Sequence, residues 1–306
     1  MADVISKGTL FDPVLVKELF DKVKGKSSLA ALCAQTPIPF NGQKEFIFTM
    51  DDEVDLVAEN GKKTRGSAAL EPVKIIPLKV EYGARISDEF LYASDEEQIN
   101  ILRNFSDGFA KKVARGLDIM AFHGVNPRAK TASALIGTNH FDNGVTVIKQ
   151  DSTSPKTPDA LIEEAIAAVQ DNEYDISGLT MAPSFRSDLA KMVDTSGRKI
   201  YPDLAWGNAP TSMNGIQTVT NNTVSFNSSK DLAIVGDFAT AFKWGYSKEI
   251  PLKVIEYGDP DNSGQDLQGY NQVYIRAETY LGWGILDKSA SVSYTHLRAH
   301  ETDSYL

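Results

Sequence analysis

The run SDEEQINILRNFSDGFAKKVARGLDIMAFHG, Ser94 to Gly124, constrains the fold more than any other stretch of the chain. Ile99, Leu102, Phe105, Phe109, Val113, Leu117 and Met120 recur every three or four residues, the spacing of a single apolar helix stripe. Ser94 stands where an N-cap is wanted, and Asp95, Glu96 and Glu97 fill the first turn, where the helix dipole favours anions. Gly124 and Pro127 supply the stop. A helix of about 28 residues is about 42 Å long, far above the average, so the rest of the chain must be built along it. Its end, KKVARGLDIMAFHGVNP, gathers Arg115, Asp118 and His123. Arg115 and Asp118 fall beside the stripe, where they can pair with each other or with neighbours at the rim. His123 falls at the C-terminus, where a His can meet free carbonyls. Catalysis needs a nucleophile or a substrate site nearby, and none is visible, so the three are read as packing and capping residues.

The segments around this helix are strands with one long polar excursion. Residues 1–36 carry Val16, Leu19, Phe20 and Val23 at helical spacing and read as a helical arm. Pro37 and Pro39 end that pattern. EFIFTM and EVDLV read as strands, and VKIIPLKVEYGARIS, Val73 to Ser87, reads as their return. Between them AENGKKTRGSAALEP, Ala58 to Pro72, holds Lys62, Lys63 and Arg65 and has no hydrophobic face. A two-stranded projection of this kind is at best marginal alone and needs a partner surface. Beyond the long helix, Thr157 and Pro158 open a second helix with an Ala/Ile/Leu stripe. GLTMAP, MNGIQTVTNNTV and KDLAIVGDF read as strands and SFRSDLAKMVD as a helix. Then FKWGYSKEIPLKVIEYG and NQVYIRAETYLGWGILD read as long paired strands. The expected class is α+β.

Composition excludes several functions. The net charge is −10, which argues against a dedicated nucleic-acid binder with a basic face. Cys33 is the single cysteine, so neither an internal disulfide nor a multi-cysteine zinc site can form, and a reducing cytoplasm fits. The N-terminus has no signal-peptide core, and no run approaches the roughly 18 apolar residues of a membrane span. P-loop, G-x-S-x-G and H-E-x-x-H motifs are absent. The paired acids Asp51–Asp52 and Glu96–Glu97 read as solvated charge rather than a glycosidase pair. DPDNSGQD, Asp259 to Asp266, resembles a calcium loop in composition but lacks the glutamate at the twelfth position and the flanking helices, so it reads as a polar turn. No catalytic, cofactor or metal residue is assigned.

SVSYTHLRAHETDSYL, Ser291 to Leu306, changes character abruptly. VSYTHLRAHET reads back, codon by codon, to a string that resembles a transposase-type sequencing adaptor. The expectation is that the native chain ends near Ala290, or was cut there, and that residues 291–306 are a non-native tail left out of the fold. His296 and His300, four apart, then carry no metal site.

The order and spacing of KVKGKSSLAAL, QTPIPFNGQKEFIF, VAENGKKTRGSAALEPVKIIPLKVEYGARISDEFL, KKVARGLDIMAFHGVNP and GDF…NQVYIRAE…GWGILDKSA resemble the major capsid proteins of tailed bacteriophages, with the Hong Kong 97 type fold. The resemblance covers nearly the whole chain up to Ala290. It implies an N-terminal arm at 1–36 and an extension loop with flanking strands at 37–93. It places a peripheral domain with a spine helix at 94–156, an axial domain at 157–250 and peripheral return strands at 251–290. It implies a non-enzymatic shell protein without cofactor, made in the host cytoplasm and found in the virion. Its copies would assemble through pentamers and hexamers around double-stranded DNA, held without base readout. The implied partners are a separate scaffolding protein, a portal and a maturation protease, with no membrane. The start near Met1 resembles members that lack a cleaved scaffolding segment. Glu59, Lys62, Lys63, Arg65 and Glu71 are the expected intersubunit contacts of the extension loop. Lys62 and Lys63 sit where some members crosslink to a neighbour's Asn, but the sequence places no partner Asn or Glu. An encapsulin-like compartment shell shares this fold and is the alternative; a third reading, from another class, is an α/β hydrolase, which the short supply of histidines disfavours.

Overall fold

The computed structural model describes residues 27–50, 54–150, 156–228, 231–249 and 252–295. The expected helical arm with Val16, Leu19, Phe20 and Val23 lies outside them, apart from its last residues. In chain order the elements are α1 (Ser28–Leu32), β1 (Gln43–Met50), β2 (Ala68–Ile75), β3 (Leu78–Ser87), α2 (Asp95–His123), β4 (Thr146–Lys149), α3 (Pro158–Gln170), β5 (Gly178–Met181) and α4 (Pro183–Lys191). They continue with β6 (Ser212–Met213), β7 (Ile216–Thr220), β8 (Asp231–Gly236), α5 (Phe238–Ala241), β9 (Phe242–Glu249), β10 (Lys253–Ile255), β11 (Gln272–Ile285) and β12 (Ser291–Thr295).

The long helix forms as its caps and stripe dictate. α2 has 29 residues; the Ser94 hydroxyl accepts from the Glu97 N–H, and Gly124 closes the end at φ 65°. Its C-terminal half is buried on more than one face: Phe109, Val113, Leu117 and Met120 are covered, and so are Ile119, Ala121 and Phe122. The main core forms there, against α1, Phe141, Trp244, Leu281 and Trp283. A smaller cluster, with Phe90, Leu102, Val273 and Ile275, holds the N-terminal half.

Three sheets hang on this helix. β11, fourteen residues long, runs between β3 on one side and β10 and β9 on the other, all antiparallel. A six-stranded mixed sheet has the order β4-β12-β8-β5-β7-β6 and carries α3 and α4 over a second core with Leu161, Val169, Phe185 and Leu189. β1 and β2 make a two-stranded antiparallel hairpin in register from Gln43–Ile75 to Met50–Ala68. Two glycines set the base of this hairpin. A Cβ at Gly284 would come within 2.6 Å of the Ile75 side chain, and one at Gly245 within 1.7 Å of the Thr36 carbonyl oxygen. Only a residue without Cβ lets those backbones close. Thr36 and Ile38 then bond along β9, through the Trp244 and Tyr246 carbonyls.

The structure corrects several expectations. EVDLV forms no strand over its described residues, 54–57; its β-branched residues face no partner strand. The expected boundaries at 156 and 250 do not follow the sheets. β4 joins the six-stranded sheet, and β9 leaves it to pair with β11. Part of the tail lies within the fold. Ser291–Thr295 is a strand of the fold, parallel to β4 and antiparallel to β8. Val292 and Tyr294 are buried, the Tyr294 ring lies 5.4 Å from that of Phe185, and the Ser293 hydroxyl donates to Asp231 at 3.0 Å. The alternation that read as patternless fits a strand covered on both faces. Residues 296–306, with His296 and His300, lie outside the described residues.

Candidate assembly surface and the anchors behind it

The chain carries two kinds of polar site, one closed and one open. The closed one answers the cluster at the helix end. Asp118 is not at the rim: it is fully buried. Its carboxylate accepts from the Ser27 hydroxyl, the Ser28 N–H at 2.8 Å, the Leu29 N–H at 3.2 Å, the Asn221 amide at 3.0 Å and the Thr223 hydroxyl at 2.9 Å. One carboxylate thereby ties α2 to the first turn of α1 and to the loop after β7. Burial pushes the Asp118 carboxyl up, against the pull of these donors. Arg115 bonds Asn222 at 2.5 Å and stacks 5.6 Å over Phe226, outside this knot.

His123 does not cap carbonyls of its own helix. Its Nε2 donates to the Thr223 carbonyl at 2.9 Å, and its Nδ1 lies 2.8 Å from Asp142 and 3.7 Å from Asp231. A carbonyl accepts only, so Nε2 carries a proton. Nδ1 faces two carboxylates and also favours one. Burial lowers the imidazole's affinity for its second proton, but Asp142, with Thr223 and Asp231, more than offsets it, and the net direction is up. The ligand atoms of His123, Asp142 and Asp231 lie within 4.8 Å of one another, as a metal site would require, and a proton on Nδ1 would serve the same two carboxylates. His140 lies over Gly124 and is shifted down by burial. Cys33 is buried, gives its thiol hydrogen to the Phe242 carbonyl, and is pushed up to about 11 by burial.

The open site is the hairpin tip. Glu59, Lys62, Lys63 and Arg65 are all exposed on the strandless loop 54–67, and none pairs with another described residue. Glu71 stands apart from them in β2, opposite Ile47. The structure therefore brings four of the five expected contact residues to one tip and leaves the fifth on the hairpin stem. Sequence reasoning missed the apolar members of this surface. Val54 is 95% and Leu56 99% exposed, and Phe46 and Leu70 are also exposed. The signal of Val54 and Leu56 was present in EVDLV, which reads as a strand. The stem is anchored by buried Ile75 and by Lys243, 2.9 Å from Glu45. Between β3, α2 and the loop 126–136 lies a half-open cavity of about 440 Å³ with apolar walls and Lys79, Lys112, Arg115 and Arg128 among its lining residues. None of this geometry presents a nucleophile with a base. Among the described residues no helix is long and apolar enough to cross a membrane.

Residues 7–295 match the model of the phage capsid family. No curated protein matches the chain. Among solved structures, one from Mycobacterium phage Ogopogo is 31% identical with a TM-score of 0.76, over 89% of this chain and 92% of its own. One from Gordonia phage Cozz is 25% identical with a TM-score of 0.74, over 89% and 87%. The capsid of an empty GTA particle shares the fold at 13% identity and a TM-score of 0.62, over 89% and 97%.

Proposed function

The chain belongs to the phage capsid family, and we propose that its copies assemble through pentamers and hexamers into a closed shell around double-stranded DNA. At the coarser level it is a phage-type major capsid protein, structural and non-enzymatic, with the Hong Kong 97-like fold. The hydrolase reading is thereby set aside. The observation that carries the assembly reading is the hairpin tip: Val54 and Leu56 are almost wholly exposed, beyond a paired two-stranded stem. Exposed apolar residues rimmed by charge mark an interaction surface, and a second copy is the partner a shell protein has in excess.

In this reading residues 37–93 are the extension loop, lying over a neighbouring subunit, with Glu59, Lys62, Lys63, Arg65 and Glu71 as its polar contacts. Helix α2 is the spine of the peripheral domain, to which 251–290 returns. Residues 157–250 are the axial domain, less β9, and its tip meets the symmetry axis. DNA is held by scattered Lys and Arg without base contacts, consistent with the acidic balance of the chain. A separate scaffolding protein, a portal and a maturation protease complete the set of partners. The test is light scattering on a sizing column, with negative-stain microscopy of the peaks, of the chain alone and with the candidate scaffold. Shells, pentamers or hexamers are expected. A monomer under every salt and protein concentration, with and without scaffold, would sink the reading.

A further inference from the structure

The loop between β10 and β11 wraps the guanidinium of Arg85 in oxygens. Asp259, Asp261, Ser263 and Gln265 alternate along DPDNSGQ, and all four turn an oxygen toward one atom, a terminal guanidinium nitrogen of Arg85 on β3. The distances are 2.7 Å from Asp259 Oδ1, 2.5 Å from Asp261 Oδ1, 2.6 Å from Ser263 Oγ and 2.9 Å from the Gln265 carbonyl. Arg85 Nε also reaches both Asp261 oxygens, at 3.2 and 2.9 Å, and its other terminal nitrogen reaches Gln272 at 3.2 Å. A terminal guanidinium nitrogen carries two hydrogens. It cannot donate to four oxygens at once. Four oxygens from four residues around one centre is the coordination of a spherical cation.

The loop is also wound as calcium loops are. Positions one, three and five supply side chains, position seven its carbonyl, and position six is Gly264, at φ 81°. The Asp259 carboxylate is fixed by the N–H groups of Ser263 at 3.0 Å and Gly264 at 2.7 Å. Asp266 is engaged elsewhere, accepting from the Gln268 and Gly269 N–H groups. At the twelfth position stands Tyr270 in place of glutamate. With two carboxylates and no bidentate glutamate, such a cage binds free calcium weakly, with a Kd of about 10⁻⁴–10⁻³ M. A tethered guanidinium, present at high effective concentration, displaces so weak a ligand.

We propose that the loop Asp259–Gln265 is a calcium-type oxygen cage in which Arg85 replaces the ion, and that the cage takes Ca²⁺ once Arg85 is removed. The substitution pins β3, the strand that carries the hairpin, to this loop independently of the ions in solution.

The experiment measures thermal unfolding and Ca²⁺ binding by calorimetry for the full chain and for Arg85→Ala. Wild type is expected to have the same Tm in chelator and in about 5 mM CaCl₂. Arg85→Ala is expected to have a lower Tm in chelator and to recover by about 2 °C or more with Ca²⁺, but not with the same concentration of Mg²⁺. It should bind one Ca²⁺ per chain, and Arg85→Ala with Asp259→Asn should bind none. Where Arg85→Ala yields no soluble chain, Arg85→Gln, which keeps the stem of the side chain, is read in the same way. A wild-type Tm that falls in chelator overturns the proposal, because the resident cation is then an ion. So does Arg85→Ala or Arg85→Gln that neither binds Ca²⁺ nor is stabilised by it, or failure of both to fold even in Ca²⁺.

Discussion

Asp118 and the hairpin tip are both polar regions, and they are completed in opposite ways. Around Asp118 five donors converge on one carboxylate, from Ser27, Ser28, Leu29, Asn221 and Thr223. Every donor belongs to the same chain, and water is excluded. At the tip, Glu59, Lys62, Lys63 and Arg65 share the exposed loop 54–67 with Val54 and Leu56, and the described part of the chain offers the four charges no partner. The first region belongs to the subunit's own stability. In the proposed reading the second belongs to assembly, because its apolar residues would lose their exposure only against another molecule. Substitutions in the two regions should therefore separate folding from assembly.

The largest effect is expected at the closed site. Asp118→Ala leaves five donors without an acceptor in a dry core and should destabilise the subunit by more than about 3 kcal/mol. Chemical denaturation measures this directly, and labelling of Cys33, slow in the native subunit because its thiol is buried and its value raised to about 11, should become fast. An unchanged midpoint with unchanged labelling would end the claim that Asp118 is the central tie. Val54→Asp with Leu56→Asp should abolish shells and capsomers while subunit stability changes by no more than about 0.5 kcal/mol. If that double variant unfolds, the tip belongs to the subunit after all and the contrast fails.

The third effect is a pH dependence. His123 is shifted above its ordinary value of 6.5, so its contribution is fully present below that pH and is lost as pH rises through the raised value. His140 is shifted down, so its contribution is present above pH 6.5 and is lost as pH falls below it. Wild type should thus lose stability as pH rises above 6.5, and His123→Gln should flatten that decline while leaving the acid-side loss in place. A decline of the same slope in the variant would assign it to another group. The smallest effect is expected from Lys62→Ser, Lys63→Ser and Arg65→Ser together: no change in subunit stability, and a modest, salt-sensitive weakening of assembly. Sedimentation at two salt concentrations would show it; weakening that ignores salt would mean these charges make no intersubunit pairs.

How much of this was legible depended on the sequence distance between partners. α2 was readable almost to the residue, because Ser94, Gly124 and the three-to-four spacing all act within one helix. The hairpin stem was readable from its flanking strands. Asp118 was misplaced because its partners lie about 90–105 residues away, and a lone acid beside an apolar stripe reads as surface. Burial of Ile119, Ala121 and Phe122 shows why: the helix end is covered on several faces, and there the stripe no longer marks the boundary of the core. DPDNSGQD was recognised as calcium-like in composition, but Arg85, its occupant, stands 174 residues from Asp259. Among the apolar tip residues, Val54 and Leu56 carried strand propensity without a strand to pair with, a distinction only the tertiary structure makes.

β12 lies between β4 and β8, and among the described strands it is the only neighbour of β4. Thr146 and Val292, paired across that parallel contact, are separated by about 145 residues of synthesis. At cellular translation speeds this is a delay of about 7–30 s. Through that interval the sheet has a gap and β4 has nothing to bond. The hairpin emerges from the ribosome far earlier than the strand that completes the body it projects from. In the proposed reading a nascent chain therefore shows its assembly tip before its sheet is closed, and many such chains on one message are neighbours at high local density. Holding those tips apart until β12 has been made is a task the cell must meet in time rather than in space.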